Sequence, residues 1–403
     1  MGKVPLGRLE DIMVLLIVIF IIFIGMGIPH SLLGVSWTAV YGDIGASLSS
    51  VSILMIITSS STVISSLSCE RLIKRFGEGK VSFACMLTAA AAVFVTSLAK
   101  GFPVFCITCA LLGLGSGVIE TALNNYVALC YKAKHMNFLH CFYAIGITVS
   151  PLVLALSLKD GEWQRGYVII SVVQLAVAGI ILLSFPLWKR TAPSAKAIEE
   201  PETAKEKPSP LKLLKNPKVI AGLIIIFASN IVEYACGSFG SSYLVTVKEL
   251  SADVAASVIT VYSVGMIVGR FAGSFLSLRI SSARILSCSA ALLICAGACL
   301  ALSSREWMLY ASFFLIGFSN GPVCPNIIFL IPGVVEKRAQ GAVMGFEIAV
   351  GYVGVLLTPI LFGVIMNMGM MQIYPLVIAV TCALIPASTL MFIGKKRRGA
   401  SYE

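Results

Sequence analysis

Charged side chains are scarce in this sequence. Asp, Glu, Lys and Arg together make up 12% of the 403 residues and histidine occurs three times, whereas 58% of the residues are hydrophobic. A soluble domain carries about a quarter charged residues, so a globule of this composition would expose a large apolar surface. The same hydrophobicity excludes a disordered chain, and the 12 cysteines lie scattered through apolar runs, unlike those of a disulfide-rich secreted domain.

Motifs for nucleotide binding and hydrolysis are also missing. The sequence has no GxxxxGK[ST], HExxH or GxSxG pattern. The missing nucleotide motif excludes an ATP-driven pump built on this chain alone. Cys106 and Cys109 form a single CxxC on an apolar segment with no second pair, which indicates helix packing rather than a zinc site. We therefore expect neither a metal nor a cofactor, and we expect no nucleic-acid partner despite the net charge of +11.

Long apolar runs are what the sequence has in abundance. A membrane-spanning helix needs about 20 such residues. Polar breaks divide the chain into twelve predicted spans: 12–33, 47–68, 81–99, 102–131, 138–158, 166–188, 218–246, 252–279, 283–303, 307–334, 340–367 and 371–394. We predict an all-α membrane protein with twelve transmembrane helices in two six-helix halves. The first span lacks a small-residue cleavage signal, so we expect it to be retained.

The segment 189–217 interrupts the apolar runs and is rich in Lys, Glu and Pro, as a solvated linker is. It divides the chain into an N-terminal six-helix bundle (1–188), a charged linker (189–217) and a C-terminal six-helix bundle with a basic tail (218–403). If both termini lie on the same side of the membrane, 24 Lys and Arg residues fall on that side and five fall on the other. The positive-inside rule then makes both termini and the linker cytoplasmic.

The two halves resemble each other in sequence. Gly113 and Gly117 of the fourth span recur 204 positions later as Gly317 and Gly321 of the tenth. Offsets of 202 and 208 relate Leu48-Ser49 to Leu250-Ser251 and Gly146 to Gly354. Repeated halves are a feature of one large transporter architecture, in which the binding site lies at the interface of the repeats.

Ionisable groups inside the spans are the candidates for function, because a charge in the bilayer is costly and usually faces a partner or a watery cavity. Glu120 lies deep in the fourth span and shares a helical face with Gly113, Gly117 and Asn124. A proton bound there would remove the cost of the charge, so we predict that Glu120 is the proton-coupling acid. The predicted substrate-binding residues are Asn124, Asn125, His140, Tyr143, Asn230, Glu233, Asn326 and Glu347. The alternative for the acids is that they make hydrogen bonds between helices.

Basic residues at the inner ends of the spans suggest a gate. The segment after the second span carries Arg71, Lys74 and Arg75, and its counterpart in the second half contains Arg270. Cations beside helix C-termini can hold carbonyl ends and acids together. We predict that these four residues form a cytoplasmic gate; for the first three, ordinary positive-inside anchoring is the alternative.

The six-plus-six plan, the central linker and the basic segment resemble the major facilitator superfamily over essentially the whole chain. Glu120-Thr121-Ala122-Leu123-Asn124 resembles the Glu-Thr-Ala-x-Asn of fucose-permease-like proton symporters, and Asn137-Phe138-Leu139-His140 is similar to the start of their fifth span. The resemblance implies that Glu120 is the proton-coupled acid and that Asn124 and His140 lie in or near a sugar cavity. The first span holds His30 but no acid, whereas fucose permeases carry an acid there.

We therefore predict a secondary active transporter that moves a small polar solute, sugar or sugar-like, across the cytoplasmic membrane by alternating access. Protons are the expected coupling ion and sodium is the alternative, and we expect a monomer in the lipid bilayer. Two alternatives stay open. An exporter of drugs or metabolites would have a more aromatic cavity, and an intramembrane enzyme or sensor would need converging catalytic groups or a soluble output domain.

Overall fold

A computed structural model of the chain describes residues 6–47, 50–158, 162–191 and 213–394. Within these ranges the regular structure is helical and contains no β-strand. Twelve of the described helical segments are long and apolar enough to cross a membrane. The predicted all-α membrane fold with twelve spans is therefore confirmed. The central part of the predicted linker (192–212), the Leu48-Ser49 repeat and the basic C-terminal tail lie outside the described residues.

The described residues group into two compact units. The first contains those of 1–130 and 142–207, and the second contains those of 131–141 and 208–403. The helices of the first unit are α1 (Leu6–Val40), α2 (Val51–Phe76), α3 (Glu78–Ser97), α4 (Phe102–Cys130), the later part of α5 (Ala133–Leu158), α6 (Trp163–Leu183) and α7 (Phe185–Thr191). The beginning of α5 belongs to the second unit, so this helix changes unit between Cys141 and Phe142.

The second unit contains the remaining helices and three short 3₁₀ turns. The helices are α8 (Pro217–Thr246), α9 (Ala252–Leu276), α10 (Ser282–Leu302), α11 (Glu306–Asn320), α12 (Val323–Leu330), α13 (Gln340–Asn367) and α14 (Tyr374–Ile393). The 3₁₀ turns are Ile331–Val334, Lys337–Ala339 and Met371–Ile373. α8 begins sharply because Asn216 caps it, accepting a hydrogen bond from the Lys218 backbone N–H (3.0 Å), and Pro217 occupies the first turn.

Glycine contacts between helices recur in the two units at a constant spacing. In the first unit α4 approaches α2 so closely that a β-carbon at Gly113 would overlap the Thr58 carbonyl oxygen. In the second unit α11 approaches α9 in the same way, and a β-carbon at Gly317 would overlap the Tyr262 carbonyl oxygen. Both members of the pair are displaced by 204 positions. The glycines identified from the sequence therefore serve close helix packing within each unit.

Two local features differ from the sequence prediction. The second helix extends beyond the predicted span 47–68, because α2 continues through Arg75 to Phe76 before Gly77 (φ 80°) makes the turn into α3. The tenth span is not a continuous helix, because α11 ends at Asn320 and α12 starts at Val323. The missing N–H of Pro322 interrupts the helical hydrogen bonds at this break.

α1 contains an internal proline that another helix compensates. Pro29 lacks an N–H and leaves the Gly25 carbonyl, four residues earlier, without its helical partner. The side-chain amide of Gln174 in α6 donates to this carbonyl at 2.5 Å. A polar residue in the middle of an apolar span thus fastens α6 to α1 inside the first unit.

Candidate transport site

Four buried polar atoms of α4 lack hydrogen-bond partners among the described residues. They are Thr121 Oγ1, both polar side-chain atoms of Asn124, and Asn125 Oδ1. All lie within five consecutive positions, and the Asn124 side chain is completely buried. An unsatisfied buried polar group costs about 1–3 kcal/mol, so native proteins keep few of them. This segment, which we call the α4 amide cluster (Thr121, Asn124, Asn125), presents both donors and acceptors for a polar ligand.

Glu120 directly precedes the α4 amide cluster and is half-buried. It shares its face of α4 with Gly117, where a β-carbon would overlap Thr62 and Ser65 of α2. The predicted face is therefore a real surface of α4, and its glycine end is covered by α2 inside the same unit. Glu120, Asn124 and Asn125 lie within six consecutive positions of α4, and their roles in transport remain predictions.

In the second unit Glu233 of α8 and Arg270 of α9 form an ion pair. Arg270 Nη2 donates to both carboxylate oxygens of Glu233, at 3.0 and 3.2 Å. The arginine side chain is 9% exposed and the glutamate side chain 36% exposed. Tyr262 of α9 also donates its hydroxyl to the Glu233 backbone carbonyl at 3.2 Å. Two residues that the sequence assigned to different roles, substrate binding and gating, are thus direct partners.

A polar network of α8, α11 and α12 lies one turn from this pair along α8. Ser229 Oγ donates to Asn320 Oδ1 at 2.8 Å, and Asn320 Nδ2 donates back to the Ser229 carbonyl at 3.0 Å. Cys324 lies 3.3 Å from Ser229 Oγ and 4.0 Å from Asn230 Nδ2. Asn230 Nδ2 also donates to the Ile226 carbonyl. The network connects Asn230 to the break between α11 and α12.

Asn326 of α12 forms a reciprocal amide pair with Asn137 of α5. Each amide nitrogen donates to the other residue's oxygen, at 3.1 and 3.3 Å. Both side chains are completely buried. Asn137 also donates to the Ala133 carbonyl of α5, and Asn326 also donates to the carbonyl of Pro322, the residue before α12. The polar atoms of Asn326, a predicted substrate-binding residue, are therefore already engaged within the second unit.

The two predicted residues of α5 lie on either side of the position where that helix changes unit. His140 is buried in the second unit, within electrostatic reach of Arg270. Its neighbour Cys141 lies 3.2 Å from Ser274 of α9. Tyr143 belongs to the first unit, where its ring makes edge contacts with Phe23 and His30 at centroid distances of 6.3 and 5.8 Å.

Glu347 of α13 is completely buried, and neither carboxylate oxygen has a hydrogen-bond partner among the described residues. α13 packs closely on α8 at Gly351. A β-carbon at this position would come within 3.1 Å of Asn230 Nδ2. Glu347 is also within electrostatic reach of Cys324. Of the acids predicted to bind substrate in the second unit, Glu233 is paired, whereas neither carboxylate oxygen of Glu347 has a hydrogen-bond partner among the described residues.

The remaining predicted gating residues lie at the end of α2. Arg71, Lys74 and Arg75 are exposed. Lys74 pairs with Glu70 one turn earlier, and the Arg75 guanidinium lies 5.2 Å from the centre of the Phe76 ring. Arg270 is buried, whereas these three residues are exposed, so the four predicted gating residues do not lie in one common environment.

Sequence reasoning missed several members of these clusters. Thr121 lies inside the Glu-Thr-Ala-x-Asn motif and Asn137 inside the fifth-span motif, so each had a signal in its neighbours. Ser229, Asn320 and Cys324 had no such signal, because serine, asparagine and cysteine in apolar helices also serve ordinary packing. Among the described residues no group of three or more His, Cys, Asp or Glu side chains could hold a metal ion.

Twelve candidate membrane spans and buried polar clusters within them are the features of an integral membrane protein that handles polar solutes or ions. The sequence matches the Major Facilitator Superfamily over residues 15–259 and 234–402, and the chain belongs to this family. The family and the solved structures with this fold are transporters rather than enzymes. The chain is therefore an integral membrane transporter.

Two curated relatives and one solved transporter are similar to the chain. Bypass of stop codon protein 6 of Saccharomyces cerevisiae is 26% identical over 94% of this chain and 82% of its own length. A putative glucose/galactose transporter of Helicobacter pylori is 27% identical over 64% of this chain and 66% of its own length. The transporter FucP in its outward conformation matches with a TM-score of 0.75 at 15% identity, covering 96% of this chain and 100% of that one. A variant of this E. coli fucose:proton symporter matches with a TM-score of 0.70 at 16% identity, over 98% and 99%. At these identities the structural match establishes the fold.

Proposed function

We propose that the chain is a proton-coupled secondary transporter of a small polar solute, a sugar or a sugar-like compound, and that it works by alternating access. The observation that carries the proposal is the α4 amide cluster. Amide groups donate and accept hydrogen bonds, as the hydroxyl groups of a sugar do. A ligand that satisfies Asn124 would remove a cost that the protein bears without it.

Glu120 supplies the coupling in this proposal. It is an acid in a membrane span and it directly precedes the amide cluster, so one helix carries both the group for the proton and the groups for the solute. A charged carboxylate in the bilayer is costly, and protonation removes the charge. The names of the similar proteins, a fucose:proton symporter and a putative glucose/galactose transporter, support this reading over the exporter.

Within the second unit we also assign roles in transport to Asn230 and to the Glu233–Arg270 pair. Asn230 stands one turn before Glu233 on α8, and the partly exposed carboxylate keeps an accessible side. We assign Glu233 to the solute and Arg270 to a gating role exerted through Glu233. His140 and Tyr143 of α5 remain proposed substrate-binding residues, each within its own unit. In this proposal the protein works as a monomer in the cytoplasmic membrane, with both termini in the cytoplasm.

A thermal-shift screen of the purified protein against sugars, nucleosides, organic acids and drugs tests the substrate class. A ligand that binds only the folded state stabilises it by about 2.7 kcal/mol at a concentration of 100 times its Kd, and the melting temperature rises accordingly. We expect a sugar-like compound to act on the wild type and on Asn367→Ala, an exposed amide at the end of α13, but to lose its effect on Asn124→Ala. A response to drugs alone, undisturbed by Asn124→Ala, would contradict the proposal.

A further inference from the structure

Glu347 differs from every other acid that the structure describes inside a span of the second unit. Glu233, on α8, forms an ion pair with Arg270 at 3.0 Å, and 36% of its side chain is exposed. Glu347 is 0% exposed, and both of its oxygens lack a hydrogen-bond partner among the described residues. Glu233 and Glu347 therefore have opposite environments in the same unit.

An ionised carboxylate in the position of Glu347 would be strongly unfavourable. Burying an unpaired charge costs several kcal/mol even after the surroundings relax, and a protein escapes this cost by neutralising the group. A cation such as sodium or calcium would need several oxygen ligands, and the described residues contain no acidic cluster for one. A proton needs only the carboxylate itself.

The groups around Glu347 do not provide another neutralising charge. α13 packs on α8 and on the 3₁₀ turns before it. The titratable or charged residues of these elements and of α13 itself are Lys218, Glu233, Tyr234, Cys236 and Tyr243 of α8, Glu336, Lys337 and Arg338 of the turns, and Tyr352 of α13. None of them hydrogen bonds with Glu347. Cys324 of α12, a neutral thiol, is within electrostatic reach.

We propose that Glu347 is a second proton-binding group, which holds a proton in the conformation described here. The inference rests on the proposed function only for its use in transport; proton binding at Glu347 follows from its own burial. It assigns to Glu347 a role different from the substrate contact that the sequence suggested.

The position of Glu347 connects this proton to the proposed solute site. Gly351, one turn later on α13, brings the backbone against Asn230, and a β-carbon at Gly354 would come within 2.9 Å of the Phe227 carbonyl oxygen. Loss of the proton would place a charge beside this tight contact. α13 would then have to expose Glu347, and that movement would disturb Asn230. The protonation state of Glu347 is in this way linked to the geometry of α8.

Infrared spectroscopy of the purified full-length protein in lipid tests the inference without transport. At about pH 8 a solvent-exposed glutamate is ionised, so a carbonyl stretch of a protonated carboxylic acid reports a sequestered acid. We expect this band in the wild type and in the control Glu336→Gln, which removes an exposed acid near the start of α13. We expect its Glu347 component to be absent from Glu347→Gln. Identical spectra for the wild type and Glu347→Gln would overturn the inference.

Two further variants keep the outcome unambiguous. If Glu347→Gln does not fold, Glu347→Asp retains an acid in a different setting and should shift the band; an unshifted band would overturn the inference. Glu120→Gln should retain the Glu347 band. If Glu120→Gln still concentrates solute in response to external acid, the proposed coupling through Glu120 fails while proton binding at Glu347 stands.

Discussion

Arg270 holds both carboxylate oxygens of Glu233 across the α8–α9 contact, at 3.0 and 3.2 Å. The arginine is the more deeply buried of the two, and its helix position lies beside the break of the tenth span, where a β-carbon at Gly321 would come within 2.9 Å of the Arg270 backbone nitrogen. A buried guanidinium has little choice of partner, so the position of Glu233 is set by Arg270.

Arg270→Gln should destabilise the protein, because it leaves a partly buried carboxylate without its partner. Removing one member of a buried pair costs about 3–5 kcal/mol, and the exposure of Glu233 reduces our expectation to about 2 kcal/mol. Thermal unfolding measures this loss. The double variant Arg270→Gln/Glu233→Gln should recover part of it, whereas Arg71→Gln, at an exposed site, should leave stability unchanged.

The same variant separates gating from binding. We expect Arg270→Gln to change the transport rate more than the ligand affinity, because Arg270 acts through Glu233. Uptake into proteoliposomes and ligand-induced thermal shifts measure the two quantities on one preparation. A folded Arg270→Gln protein that no longer binds ligand would place Arg270 in the substrate site instead.

Glu120→Gln should keep ligand binding and counterflow but lose accumulation driven by a pH gradient, because glutamine resembles the protonated acid and cannot release a proton. Counterflow and pH-driven uptake in proteoliposomes measure the two activities. Glu336→Gln provides the control for removing an acid at an exposed position. Undiminished accumulation by Glu120→Gln would exclude this residue as the proton site.

Asn137→Ala and Asn326→Ala should each destabilise the protein by about 1–3 kcal/mol, because each leaves a buried amide without its partner. If the pair is structural, the two variants will have equal effects on ligand affinity. The sequence assigned Asn326 to the substrate, which instead predicts a larger loss of affinity for Asn326→Ala alone. Thermal unfolding and ligand titration of both variants decide between these roles.

Gly113→Ala and Gly317→Ala should each cost about 1–3 kcal/mol, because a methyl group would be forced against a backbone carbonyl of the neighbouring helix. Gly179→Ala in the first unit and Gly237→Ala in the second are the matched controls, since nothing lies within 4 Å of a β-carbon at either position. These two changes should be neutral or slightly stabilising, because alanine favours helix over glycine. Equal melting temperatures for all four variants would contradict the packing described here.

Tags at the two termini test the predicted topology. The distribution of 24 and five basic residues predicts that both ends lie in the cytoplasm. An epitope at either end should therefore stay unlabelled in intact cells and become labelled after permeabilisation. Labelling of either tag from outside would refute the predicted orientation.

Much of the fold was predictable because it depends on local composition. An apolar run between polar breaks has few alternatives to a spanning helix, and the predicted 218–246 and 283–303 differ from α8 and α10 by one residue at most. The break between α11 and α12 was missed, because the four residues Ser319-Asn320-Gly321-Pro322 are too short a polar interruption to divide a long apolar run. The predicted span 47–68 ends before α2 does, because the charged residues that follow interrupt the apolar run, although a helix that leaves the membrane can continue through charged residues.

The pairings within the site were not predictable in this way. Glu233 and Arg270 are 37 positions apart, and Asn137 and Asn326 are 189 apart. A single sequence indicates which polar residues lie in spans, but it does not indicate which of them meet. Residues on one helix were easier to group, because helical periodicity alone puts Glu120, Asn124 and Gly117 on one face.

The recurring glycine contacts have an evolutionary consequence. The 204-position spacing that relates Thr58–Gly113 to Tyr262–Gly317 also pairs Ser66 with Arg270 and Glu120 with Cys324. The packing backbone has been copied, whereas the ionisable groups have not: each half bears its charge where the other bears a neutral side chain. A duplicated ancestor would have presented the same charges twice. Divergence at these few positions gave one copy its acid and the other its ion pair, while the glycines, which have no substitute at a contact this close, stayed the same.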